Sequence, residues 1–363
     1  MPDNQKWQQD SHPLYARKIK MTKVLLTGAS GYIGKHIALQ LLTDSYEVRA
    51  SVRNSAKADE VSAAVAAHLP AGFDLKKKLS FVELDLEKDA GWAKALDGID
   101  VLLHTASPFP IASPKDENDL VRPAVEGTLR ALKAAHKAGV KRVILTSSVA
   151  AIYGSELPAG KTEFDESMWS DPSHPIGSLA YNKSKTLAEK AAWDYISSTA
   201  PEIELTTINP VLVAGAPLDK NFGASVSVVE RLMNGKDPVL PDMSFGIVDV
   251  KDVAAMHVKA IKSKQAKGQR FIANAGSRTF IQMAKALKSE FPTRKIPTGK
   301  APTMLIRLLA LFDGEIKAVL PGLGKHINAS SKKAQTVLGI EFIPVEQSLV
   351  ETAHYLVDNK LVK

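Results

Sequence analysis

Cysteine is absent from the 363 residues, which excludes disulfides, thiolate zinc sites, iron–sulfur clusters and thiol nucleophiles. Any chemistry falls to hydroxyls, amines, carboxylates, imidazoles or a bound cofactor. Long apolar runs are missing as well: none reaches the roughly 18 residues that a membrane span needs, and Met304 to Phe312 is short and interrupted by Arg307. Aromatics are only 6% of the chain, and no basic stripe carries them interleaved as nucleic-acid binding would require. The densest cationic cluster, Lys76 to Lys78, is expected to be a solvated loop ahead of the strand-like Leu79 to Leu84. Residues 1–20 are polar, with Asp3 and Asp10 among them, and lack the apolar core of a signal peptide. They are expected to be a flexible extension, with the folded domain beginning at Met21. These absences lead to the expectation of a cytoplasmic protein, monomer or homodimer, with a small-molecule substrate and neither nucleic acid nor membrane as partner.

What is present is ordinary globular usage: 45% apolar, 24% charged, 22 Gly and 20 Pro, with a net charge of +8 that is read as solubility. At about 150 residues per domain, the length suggests two domains. From residue 23, short β-branched runs alternate with longer helical stretches. The strands expected are Val24 to Leu26, Glu47 to Val52, Leu79 to Leu84, Val101 to His104, Val143 to Thr146 and Leu205 to Ile208. Helices are expected over Ile33 to Thr43, Ala56 to His68, Trp92 to Leu96, Leu120 to Ala138 and Leu179 to Ser198. This order predicts an α/β fold, a doubly wound parallel sheet (Rossmann) with a smaller C-terminal substrate lobe. Residues 21–213, with part of 246–275, would form the dinucleotide-binding domain, and 214–245 with 276–363 the lobe. After Pro210 the pattern becomes irregular, with amphipathic helices expected near Asp252 to Lys264, Ile281 to Phe291 and Val345 to Val357.

The segment Val24-Leu25-Leu26-Thr27-Gly28-Ala29-Ser30-Gly31-Tyr32-Ile33-Gly34 sets three glycines three apart between a strand and a helix. Glycine lets the backbone approach a pyrophosphate, and the helix N-terminus offers unpaired N–H groups. The end of the second strand distinguishes the cofactors. An acidic residue there would bind the ribose hydroxyls of NAD, whereas Arg53, with Lys57 following and no carboxylate at the strand end, suits the 2′-phosphate of NADP(H).

Tyr181 and Lys185 stand four apart on a helical pattern, so the ammonium can lie beside the phenol and favour the phenolate. Such a pair also occurs as a plain surface ladder. A second feature, the strand Val143-Ile144-Leu145 ending in Thr146-Ser147-Ser148, brings hydroxyls to the ligand edge, where a serine could bond a substrate oxygen. An acyl-serine reading lacks the Gly-x-Ser-x-Gly elbow and a histidine partner.

With these residues in place the chain resembles the extended short-chain dehydrogenase/reductases, in the branch of dihydroflavonol, cinnamoyl-CoA and NADPH-dependent carbonyl reductases. The resemblance runs from about Lys23 to the C-terminus. Besides the segments above it includes Asp85-Leu86, His104-Thr105-Ala106-Ser107-Pro108, Pro123 to Thr128 and Asn209-Pro210-Val211-Leu212-Val213. It implies that Tyr181 protonates the carbonyl oxygen, that Lys185 lowers its pKa and binds the nicotinamide ribose, and that Ser148, or Ser147 one register away, holds the oxygen. It further implies that Gly28, Ser30, Gly31, Tyr32, Ile33 and Gly34 carry the pyrophosphate turn. Asp85 and Leu86 would meet adenine, Ala106 the cofactor channel, and Pro210 and Val213 the nicotinamide end. No metal is expected. The asparagine by which plant dihydroflavonol reductases grip their substrate is replaced by Tyr153, and the cysteine- and tyrosine-containing segment of cinnamoyl-CoA reductases is missing after Pro210. A generic aldehyde, α-dicarbonyl or ketone reductase remains, with Pro108, Phe109, Tyr153 and part of 214–245 lining its pocket.

Other residues draw plainer readings. His104 is expected to pack or hydrogen-bond. His257 with Asp249 and Asp252 is read as a capped helix rather than a metal site, with Asp252 as N-cap. Trp92, Trp169 and Trp193 are read as core or lobe-interface residues. Two rival functions share the fold: an NAD-retaining sugar-nucleotide epimerase or dehydratase, against which Arg53 argues, and a non-catalytic NADP-sensing protein, against which the Tyr181 and Lys185 pair argues.

Overall fold

A computed structural model describes residues 21–107, 116–312 and 320–363. Seven strands form the main sheet: β1 (Lys23–Thr27), β2 (Glu47–Val52), β3 (Leu79–Glu83), β4 (Val101–His104), β5 (Arg142–Thr146), β6 (Glu204–Pro210) and β9 (Gln269–Ala273). Their order is β3-β2-β1-β4-β5-β6-β9, every pair parallel. Strands such as Val24-Leu25-Leu26 and Val101-Leu102-Leu103 are apolar throughout because a parallel sheet is covered on both faces. Alternation along β1 divides the core: Val24 and Leu26 join the apolar cluster of one face, Leu25 that of the other.

The covering helices are α1 (Tyr32–Thr43), α2 (Ser55–Ala66), α3 (Leu75–Lys78), α4 (Trp92–Leu96), α5 (Asn118–Lys137), α6 (Ala180–Thr199), α7 (Ala224–Met233) and α8 (Val250–Lys262). After them come α9 (Phe280–Glu290), α10 (Thr303–Leu309), α11 (Lys332–Leu338) and α12 (Val345–Asp358). A second, three-stranded sheet has the order β10-β8-β7, from β7 (Leu212–Ala214), β8 (Ser244–Asp249) and β10 (Gly276–Thr279). It adjoins the carboxyl edge of the main sheet, because β7 follows β6 after a single residue. The Tyr32 hydroxyl donates to the Gly215 carbonyl at 2.7 Å, tying the start of α1 to the end of β7.

The doubly wound α/β fold is thus as the sequence predicts, with element ends shifted by one or two residues. Two local expectations change. Helix α8 is capped by Asp249, whose side chain accepts from the Lys251 N–H at 2.8 Å. Asp252 lies inside the helix and accepts instead from the Ile343 N–H at 2.9 Å, so the docking of a distant segment claims its carboxylate. Lys76 to Lys78 belong to the single helical turn α3 rather than a loop, with Asp74 accepting from the Lys77 N–H at 3.3 Å. Among the described residues no helix is long and apolar enough to cross a membrane. The predicted extension 1–20 and the pocket residues Pro108 and Phe109 lie outside the described residues.

Candidate active site

The glycine turn is built by close approach. Gly28 has φ +70°, and a Cβ there would stand 2.7 Å from the Ala106 nitrogen, so a side chain is barred twice over. A Cβ at Gly34 would stand 2.2 Å from the Gly28 carbonyl oxygen. Thr27 latches the neighbouring strand end: its hydroxyl lies 2.8 Å from His104 Nδ1 and accepts from the Thr105 and Ala106 N–H groups at 3.2 and 3.3 Å. Helix α1 then starts on Gly31 with no side-chain cap and no acidic residue in its first turn. Its leading N–H groups, beside Ser30 and Ile33, therefore face a position where an anion is favoured. These features fit a dinucleotide pyrophosphate.

At the next strand ends, Arg53 is exposed just beyond β2 and forms no ion pair among the described residues. The Glu87 N–H, with Lys88 and more weakly Arg53, holds the Asp85 carboxyl below the usual carboxylate range, so Arg53 and Asp85 share one neighbourhood beside Leu86. Lys57 follows in α2, where its ammonium pairs with Glu60 at 2.6 Å. Glu60 also accepts from the buried Lys35 at 3.0 Å, and Lys35 pairs in turn with Asp219.

At the carboxyl end of β5 the chain turns through Ser147 and Ser148 toward α6, which carries Tyr181 and Lys185 one turn apart. The Ser148 and Tyr181 hydroxyls are hydrogen-bonded. Lys185 Nζ lies 5.8 Å from the Tyr181 ring centroid and donates to Ser107 Oγ at 2.9 Å. The structure therefore brings Ser148, Tyr181 and Lys185 together, close to Ala106. Ser147 points elsewhere, its hydroxyl donating to Glu189 at 2.5 Å.

The expected phenolate is not what the environment favours. Burial pushes the Tyr181 hydroxyl up to about 12, the Ser148 bond opposing the rise and Tyr153 adding to it. Burial likewise lowers Lys185 to about 8, with the Glu189 carboxylate opposing the fall. Burial is the largest influence on both groups, and it favours a neutral phenol beside the lysine, an arrangement that can give a proton to an oxygen.

Behind the cluster lies a buried ion pair that residue spacing did not bring out. Glu189, one turn beyond Lys185, accepts from Arg270 at 2.7 Å, Asn209 at 2.7 Å, Thr207 at 3.1 Å and Trp193 at 3.3 Å, besides Ser147. Asn209 also donates to the Ser148 carbonyl at 3.1 Å. An acidic residue on the Tyr181 and Lys185 face of the helix was the available signal.

A cavity of about 360 Å³ is lined by Val149, Tyr153, Leu179, Phe245, Lys325 and Ile327 among others, and reaches the neighbourhood of the cluster through Val149, next to Ser148, and Tyr153, whose charge Tyr181 senses. Tyr153 thus lies in its wall, as do Met243 and Ser244 at the end of the segment 214–245. The stretch 322–329 falls in the expected substrate lobe, although none of its residues was named as pocket lining. Pro210 is buried at the end of β6, and Val213 is buried in β7 opposite Val248. His257 is engaged on both ring nitrogens, by Thr146 at 2.7 Å and the Val253 carbonyl at 2.8 Å, which leaves neither for a metal.

A Rossmann sheet with a glycine turn and a tyrosine and lysine pair at one edge defines a class. The sequence description of the NAD dependent epimerase/dehydratase family matches residues 24–276, and the chain belongs to that family. Within it, the resemblance to the extended short-chain dehydrogenase/reductases holds. The chain is 31% identical over 355 residues to the NADPH-dependent methylglyoxal reductase of Saccharomyces cerevisiae, covering 91% of this chain and 96% of that protein. It is 31% identical over 340 residues to a cinnamoyl-CoA reductase of Medicago truncatula, covering 93% and 96%. The solved structure of the yeast methylglyoxal/isovaleraldehyde reductase complexed with NADPH matches with a TM-score of 0.76 at 30% identity, over 93% of this chain and 99% of that one.

Proposed function

We infer that this protein is an NADPH-dependent reductase that converts the carbonyl of an aldehyde, α-dicarbonyl or ketone to an alcohol. The observation that carries the reading is the Ser148, Tyr181 and Lys185 cluster, set between the glycine turn and a mostly apolar cavity. Its relatives support the same reading, since one is named for NADPH-dependent methylglyoxal reduction and its structure holds NADPH. Residues 21–213 with part of 246–275 hold the dinucleotide in this scheme, and 214–245 with 276–363 supply the substrate side. Gly28, Ser30, Gly31, Tyr32, Ile33 and Gly34 form the pyrophosphate turn, the Tyr32 side chain serving to anchor it. Arg53 and Lys57 take the 2′-phosphate, Lys57 leaving Glu60 or sharing with it. Asp85, Leu86, Ala106, Pro210 and Val213 complete the cofactor's surroundings.

When bound, NADPH supplies the hydride. Ser148 and Tyr181 hold the carbonyl oxygen, and Tyr181 gives it the proton as negative charge develops there. Lys185 keeps a positive charge beside the resulting phenolate, and the apolar walls exclude bulk water.

The test is consumption of NADPH and of NADH against a panel of aldehydes, α-dicarbonyls and aromatic ketones, with Tyr181→Phe and Arg53→Ala in parallel. Turnover should prefer NADPH, fall by about a hundredfold or more in Tyr181→Phe, and lose the cofactor preference in Arg53→Ala. A Tyr181→Phe protein as active as wild type would refute the proton-donor role. Tightly held NAD that co-purifies and stays with the protein would favour the epimerase chemistry instead.

A further inference from the structure

Two polar side chains of the cavity wall lack a hydrogen-bond or ion-pair partner among the described residues. The Ser244 hydroxyl is buried without a hydrogen-bond partner among the described residues. Lys325, also in the cavity wall, forms no ion pair among the described residues. The two are on one paired stretch: the Ser244 N–H donates to the Lys325 carbonyl at 3.3 Å, the Gly324 N–H to the Asp242 carbonyl at 2.6 Å, and the Lys325 N–H to the Gly322 carbonyl at 3.0 Å. These bonds fix the backbone from which the ammonium extends. Carboxylates on the flanking segments are committed elsewhere. Asp242 is paired with Lys300 at 2.6 Å and His326 at 3.6 Å. Glu156, whose acidity Lys325 increases, is bonded to His174 at 2.9 Å.

A buried hydroxyl without a partner is unfavourable, and a ligand acceptor relieves it. Lys325 is exposed, so its ammonium stands at the solvent side of the cavity and steers an anion there, while the Ser244 hydroxyl supplies the buried donor. We propose that the carbonyl substrate carries an anionic group, held by Lys325 and the Ser244 hydroxyl while its apolar body fills the cavity. The substrate class is therefore an oxo acid with an apolar spacer, its carbonyl directed past Tyr153, which lines the cavity, toward the neighbouring Tyr181. The inference rests on the reductase reading. At about 360 Å³ the cavity is within the size range of small-molecule sites.

The experiment compares ω-oxo carboxylates of increasing chain length, and 3-benzoylpropionate, with their methyl esters as NADPH-dependent substrates. At one chain length or more, kcat/KM for the acid should exceed that for its ester by about tenfold, through KM. Lys325→Ala should remove that advantage, Lys325→Glu should invert it, and Ser244→Ala should lower the acid-to-ester ratio of kcat/KM. Calorimetric binding of 4-phenylbutyrate, which has no ketone or aldehyde to reduce, should weaken by the same factor in Lys325→Ala. Esters reduced as well as acids by the wild type, or a Lys325→Ala protein that loses both equally, would overturn the inference and leave the reductase reading intact. If no acid or ester is reduced and Tyr181→Phe changes nothing, both fall together.

Discussion

Lys185 carries its charge against burial. The ammonium faces the Ser107 hydroxyl, the Tyr181 ring, a His104 imidazole that burial and Lys185 itself keep neutral near neutral pH, and the Glu189 carboxylate one turn along α6. With its pKa lowered to about 8, its proton is lost as the pH rises through that value, while burial holds the Tyr181 proton to about 12. The kcat/KM for carbonyl reduction should therefore be level near pH 7 and fall above about pH 8 with a slope of one proton. A profile flat to pH 10 would remove Lys185 from that role. Spacing alone put Tyr181 and Lys185 on one helical face but left Ser147 and Ser148 as alternatives. The choice between them depends on Glu189 and Asn209, 42 and 61 positions away from the serines they bond. No local pattern carries such a distance.

Among the elements, α1 is the one whose position the cofactor would sense. Its Gly34 lies so near Gly28 that an added methyl would contact the turn's carbonyl at 2.2 Å, and backbone on both sides cannot swing away as a side chain could. Gly34→Ala should therefore push the helix N-terminus outward. We expect at least about a tenfold loss of NADPH affinity by fluorescence titration and a loss of about 1–3 kcal/mol in stability, as for other overpacked sites; unchanged affinity would mean that the helix gives way without cost. The strands and long helices were readable because periods of two and 3.6 residues repeat within a few turns of chain. Cap positions were less so. Asp249 and Asp252 both suit a helix start by residue type, and only the contact of Asp252 with Ile343, 91 positions on, separates them.

For the molecule as a whole, one apolar cluster runs from Val24 and Leu26 of the main sheet through Val248 beside it to Leu349 of α12. Because this core spans both sheets, thermal unfolding should be a single cooperative transition. Tryptophan fluorescence, to which Trp92, Trp169 and Trp193 of the described residues contribute, should show the same transition as far-ultraviolet circular dichroism. Two separated midpoints would show that the C-terminal part melts by itself. What the sequence determined by itself was whatever depends on neighbours along the chain: the alternation of strands and helices, the glycine turn, the arginine after β2, and the Tyr181 and Lys185 pair. Those follow from backbone sterics and side-chain periodicity over a dozen residues. Tertiary structure alone decided which serine meets Tyr181, what Glu189 binds, and that Gly322, Lys325, Ile327 and Ala329 line the same cavity as Tyr153. These are contacts between stretches as far apart as Tyr32 and Gly215, 183 positions, and they are chosen by how the layers pack, after each layer has already formed.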